Sequence, residues 1–155
     1  MIPNRVVAIP EKIAEQARAT LKSPQYGHPA HVEVARSYGP CRSCLQTFHE
    51  GRDQRILFTY NPFEGLDKYP LPGPIFIHRE ACQRYEEPVF PTGLSRLPLT
   101  LEGYGRGRWL VMSERVLNDE IDAVVNRLFA HPVVEYIHVR NAEAGCFIAR
   151  IERMT

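Results

Sequence analysis

A chain of 155 residues with 44% hydrophobic and 24% charged content is long enough to bury a core without disulfides and reads as one domain over 1–155. A formal net charge of +1 argues against a broad electrostatic footprint for DNA or RNA and leaves only a local basic patch open, since net charge says nothing about distribution. No run approaches the roughly 18 apolar residues of a membrane helix. Met1 to Leu21 also lacks the basic region, apolar run and cleavage site of a signal peptide, so a cytoplasmic protein is expected.

Ile13, Ala17 and Leu21 recur every fourth residue and predict a first helix, with Pro10 suited to its opening position. His31 to Arg36 alternates, placing Val32 and Val34 on one side and His31 and Glu33 on the other, as in a short half-buried strand. Tyr38-Gly39-Pro40 turns the chain into a loop holding Cys41 and Cys44. Arg55 to Tyr60 and Pro74 to His78 read as strands separated by a proline- and glycine-punctuated loop, and a short turn or helix then carries Cys82 and Tyr85.

Residues 87–98 contain Pro88, Pro91 and Pro98 and should be irregular. Leu99 to Leu101, Arg108 to Val116 and Glu135 to Arg140 look like strands. Between the last two, Ile121, Val124, Val125, Leu128 and Phe129 form one apolar helical face; Asn118 is its expected cap, Asp119, Glu120 and Asp122 favour its positive end, and Pro132 stops it. A closing hairpin pairs Val134–Val139 with Cys146–Arg153 around Asn141 to Gly145. Several strands and two principal helices without regular βαβ alternation, joined by long Pro-rich loops, predict an α+β fold with a largely antiparallel sheet.

Cys41-Arg42-Ser43-Cys44 and His78-Arg79-Glu80-Ala81-Cys82 have the spacing at which short loops present donors to a metal. If the strands at 55–60 and 74–78 pair antiparallel, the start of the first lies beside the end of the second, and all four side chains gather at one end. Three thiolates and an imidazole suit tetrahedral Zn²⁺, with iron as an alternative. Arg42, Arg79 and Arg84 are the expected charges favouring thiolates. Two readings without metal stay open: a redox-active Cys41–Cys44 pair, and buried cysteines acting as small hydrophobes.

The C-terminal hairpin gathers His138, Arg140 and Cys146. Two apart on a strand, His138 and Arg140 face the same side, where they could bind an anionic group with His138 as acid or base. The competing reading is a solvated strand face beside a routine turn. Tyr60-Asn61-Pro62-Phe63 supplies aromatics beside the expected metal end, and Gly103 to Arg108 reads as a hairpin turn, since it lacks the Lys-Ser/Thr ending of a phosphate loop.

Pro40-Cys41-Arg42-Ser43-Cys44-Leu45, Tyr60-Asn61-Pro62-Phe63, Gly73 to His78 with Cys82, and His138 to Asn141 with Gly145-Cys146-Phe147 together resemble a small bacterial family, the domain of unknown function numbered twelve-zero-three. The resemblance implies a bacterial, soluble, single-domain protein and brings no activity with it. Two function classes follow. One is a zinc-stabilised binding module whose partner is an unspecified protein or small molecule. The other is a small metal- or thiol-dependent enzyme with a pocket between the Cys/His corner and the C-terminal hairpin, using Tyr60, His138, Arg140 and Cys146.

Overall fold

Ile56, Phe58 and Tyr60 alternate with less buried neighbours, as do Ile75 and Ile77, because a strand that buries one side of its pleat points every second side chain inward. The computed structural model describes residues 2–63, 65, 71–117 and 120–154. Along the described residues run β1 (Asn4–Val7), α1 (Glu11–Thr20), β2 (His31–Val34), β3 (Gln54–Tyr60), β4 (Gly73–His78), β5 (Leu99–Tyr104), β6 (Leu110–Val116), α2 (Ile121–Phe129), β7 (Tyr136–Asn141) and β8 (Phe147–Arg153). One sheet has the order β1-β8-β7-β5-β6, the other β2-β3-β4, and every pairing is antiparallel. The expected α+β class holds. No helix among the described residues is long and apolar enough to cross a membrane.

Each sheet has its own core. On the larger one, α2 buries Val124, Val125, Leu128 and Phe129 in a cluster with Leu99, Leu101, Ile137 and Val139. On the smaller, Ile13, Ala14 and Ala17 of α1 cluster with Ile56, Phe58, Ile75 and Ile77. Phe147 joins the two: it begins β8 yet belongs to the smaller sheet's core. The cause is a bulge. Val139 pairs with Ala149 but Arg140 pairs with Phe147, leaving Ile148 as an extra residue. Ile148 enters the core beneath α2, and Phe147 is turned to the opposite side of the sheet, as bulges re-aim side chains.

Departures from the sequence reading have local causes. Pro10 stands at the N-cap of α1, one position before the helix, with an extended ψ of 138. Leu21 does not extend the apolar stripe; it takes the left-handed conformation that ends α1 and is 37% exposed. In β2 the inside–outside assignment fails, since Val34 is 46% exposed while Glu33 turns toward the buried Arg55, to which it is bonded at 3.0 Å. Cys82 follows a bend in irregular chain, without a helix. Gly103 and Tyr104 lie within β5, so the glycine-rich turn begins only after them. Asn118 and Asp119, the expected cap and acidic start of the second helix, lie outside the described residues, and Glu120 at the N-cap makes no side-chain capping bond.

Candidate metal centre

Antiparallel pairing sets Arg55 at the start of β3 opposite His78 at the end of β4. The chain after β2 delivers Cys41 and Cys44 to the same corner in a tight hairpin. A bridge between Pro40 and Thr47 closes it; the Cys41 N–H donates to Gln46 O at 2.9 Å, and the Leu45 N–H donates to Cys41 O at 2.8 Å. This path forces Leu45 into the left-handed region at φ 58, a cost of roughly 1–2 kcal/mol for a residue with a Cβ. Leu45 is also 1% exposed and belongs to the core beneath α2. Burying a leucine is worth about 1.5–3 kcal/mol, so packing offsets the strain.

The two segments converge. One ligand atom from each of Cys41, Cys44, His78 and Cys82 lies within 4.8 Å of all the others. Cys41 Sγ is 3.8 Å from Cys82 Sγ, and Cys44 Sγ is 3.5 Å from His78 Nδ1. The backbone N–H of His78 donates to Cys41 Sγ at 3.3 Å. On the far side of the imidazole, Nε2 is 3.3 Å from Asp53 Oδ2, which also accepts the His49 backbone N–H at 2.8 Å. In the neutral ring, with its proton on Nε2 facing Asp53, Nδ1 is the nitrogen left to bind a metal.

Hydrogen bonding divides the protons unequally among these groups. The Cys82 thiol is pushed far below the ordinary thiol range by hydrogen bonds with Cys41 and Cys44, helped by His78 and the Arg18 charge. Hydrogen bonding to Cys41 and Cys82, then burial, pushes Cys44 up. His78 is raised to about 10, chiefly by its hydrogen bond with Cys41. The Asp53 carboxyl is held below its usual range by the His49 N–H. The cluster thus already stabilises anionic sulfur beside a protonated imidazole, whose Nδ1 proton a metal would displace.

The arginine that serves the cluster is not one the sequence reading named. Arg18, in the last turn of α1, donates from Nη2 to Cys82 Sγ at 3.1 Å and from Nε to His78 O at 3.0 Å. Arg42 instead donates to Phe147 O at 2.8 Å and Pro40 O at 2.6 Å, Arg79 to Gln54 Oε1, and Arg84 to the carbonyls of Ile9 and Ala8. Helical position was the available signal: Arg18 sits one position after the buried Ala17, but its sulfur partner depends on how α1 crosses the smaller sheet.

The second candidate group does not share the Cys/His corner. Tyr60 pairs with Gly73 at the end of β3 opposite Arg55 and His78, so its aromatics do not flank the Cys/His corner as expected. It lines a cleft of about 680 Å³ between the start of α1, Phe147 and Arg150, and none of Cys41, Cys44, His78 or Cys82 is in that lining. His138 is fully buried. Arg140 is bonded through Nε to Glu102. Cys146 is partly exposed on the hairpin turn, its sulfur 3.9 Å from Ala144 O.

Fold and site together define a small α+β protein organised around a cluster of three cysteines and one histidine compatible with metal binding. Residues 39–153 match the family model described as "Protein of unknown function (DUF1203)", and the chain belongs to that family. No curated protein and no solved structure matches the chain.

Proposed function

We propose that Cys41, Cys44, His78 and Cys82 hold one Zn²⁺ in a closed tetrahedral site, and that this zinc acts mainly as a structural clamp in a cytoplasmic binding protein. Donor spacing carries the reading. A tetrahedron with Zn–S of about 2.3 Å and Zn–N of about 2.0–2.1 Å has S···S edges of roughly 3.8 Å and S···N edges of roughly 3.6 Å. The corresponding separations here are 3.8 Å between Cys41 and Cys82 and 3.5 Å between Cys44 and His78.

Four protein donors would complete the coordination shell, as in structural zinc sites. Three thiolates on one Zn²⁺ leave a formal negative charge, and Arg18 stands where it offsets that charge. The clamp would tie the Cys41–Cys44 hairpin, the end of β4 and the last turn of α1 into one unit. The cleft lined by Tyr60 lies apart from the four donors, which favours a structural role over metal-dependent catalysis.

Elemental analysis of protein purified without added metal tests the proposal. About one zinc per chain, retained through dialysis, is the expected result. Iron in its place would keep the site and change the ion; a metal-free protein that folds equally well in strong chelator would end the reading. Cys44→Ser should lose the metal and much of the thermal stability together, because metal-binding free energy at such sites is folding free energy.

A further inference from the structure

The face of the larger sheet turned away from α2 carries polar groups that its packing does not satisfy. Strand register fixes which of them meet: Glu102 lies opposite His138, His138 opposite Arg150, and Arg140 opposite Phe147. Among the described residues, both ring nitrogens of His138, Nη2 of Arg140 and Nε of Arg150 are buried without a hydrogen-bond partner; elsewhere only Arg55 Nε shares that state. Folded proteins pair about nine in ten or more of their buried polar groups. Such a concentration of orphans on neighbouring strands sets this face apart from the rest of the described residues.

The neighbouring groups meet the need for partners only in part. Glu102 accepts from Arg140 Nε and from Tyr104 OH, leaving Arg140 Nη2 free. Glu152 approaches Arg150 Nε at 3.0 Å and also binds Arg5; its contact with Arg150 has the distance of an ion pair but not the alignment of a hydrogen bond. Aromatic rings enclose the imidazole, Phe63 at 4.7 Å and Phe147 at 4.9 Å. The Arg150 guanidinium lies over the Tyr136 ring at 4.1 Å; a ring face can receive an N–H, but more weakly than an anionic oxygen. Burial, followed by the charges of Arg140 and Arg150, lowers the His138 pKa to about 2, so at neutral pH the ring presents one N–H and one lone pair.

We propose that this cluster binds a small oxyanion, the carboxylate or phosphate group of a small molecule, received by Arg140 Nη2 and the His138 ring N–H with the Arg150 guanidinium beside them. An anion supplies the acceptor that Arg140 Nη2 and the His138 N–H lack and offsets the guanidinium charge on the face, whereas a neutral ligand would do only the first. Phe147 and Arg150 also line the cleft of about 680 Å³ that holds Tyr60, with Val7 and Ile9 along its wall. That cleft could hold the apolar body of an organic acid whose carboxylate points toward the arginines. Inorganic phosphate would use the polar atoms alone. The site is independent of the metal proposal and shares no residue with it.

The test titrates the full-length protein, with whatever metal it carries on purification, using inorganic phosphate in one arm and benzoate in the other. Calorimetry and the imidazole ¹⁵N resonances of His138 are the two readouts. Saturable binding of either anion in the millimolar range or tighter, accompanied by movement of those resonances, is expected, and the arm that binds tighter names the source of the oxyanion. Arg140→Gln and Arg150→Gln should each weaken binding about tenfold or more, the first by loss of a charge-assisted hydrogen bond and the second by loss of the charge beside it. Unmoved His138 resonances with both anions, or equal affinity in both variants, would overturn the proposal. The wild-type resonances decide the matter even if a variant does not fold.

Discussion

Arg18 reaches from the last turn of α1 to Cys82, 64 residues later, and places its Nη2 donor 3.1 Å from the sulfur. The same guanidinium holds the carbonyl of His78 at 3.0 Å. A single side chain therefore connects the first helix to two of the proposed ligands. Hydrogen bonds to charged groups contribute about 1.5–3 kcal/mol. In Arg18→Met, which keeps much of the apolar stem, zinc should still bind with unchanged stoichiometry but pass to a chromophoric chelator about ten times faster. Transfer at the wild-type rate would show that Arg18 only packs there.

Asp53 acts from the other side of the imidazole. Its Oδ2 lies 3.3 Å from His78 Nε2, which favours the tautomer with Nδ1 free to bind metal. Outer partners of this kind typically change metal affinity 10–100-fold. Asp53→Ala should weaken zinc by at least about tenfold in a competition titration against a chelator of known affinity. Affinity within twofold of wild type would mean that the hairpin geometry alone orients the ring.

Much of this corner was legible in the sequence because its logic is local and periodic. The spacing of Cys41 and Cys44, the strand character of 55–60 and 74–78, and antiparallel pairing together suffice to bring His78 beside the hairpin. Arg18 was not legible, since its contact depends on the direction in which α1 crosses the sheet. The position of Phe147 was hidden for a different reason. Strict alternation would carry it on the α2 side, and only the extra residue Ile148 turns it toward His138. Strand β1 escaped notice because four residues with one buried position, Val6, give too short a pattern to read.

Arg42 separates stability from metal binding. It is 5% exposed, burial lowers its pKa to about 10, and it bridges Pro40 O in the hairpin to Phe147 O in β8. Arg42→Met leaves both carbonyls short of a donor, a loss of about 1–3 kcal/mol for each. For a chain of this size that corresponds to a melting temperature lower by roughly 5–25 °C. Zinc content should be unchanged, because neither bond involves a ligand. Loss of metal in proportion to stability would place Arg42 within the site.

His138 makes the acid response of the fold predictable. Its folded pKa is lowered to about 2 by burial and the nearby arginines, whereas the unfolded imidazole takes a proton near 6.5. Between these values the unfolded chain binds more protons, so stability rises with pH and is lost as pH falls below about 6.5. By pH 5 this one group should cost about 2 kcal/mol. His138→Phe puts a ring of similar size among the same aromatics and removes the proton. Denaturant unfolding of both proteins from pH 7.5 to 5, in buffers free of phosphate and carboxylate, should therefore show the wild type losing about 2 kcal/mol relative to the variant. Acid effects on the cysteine cluster are common to both and cancel in the difference. Parallel curves across that range would show that His138 takes up its proton without unfolding the sheet around it.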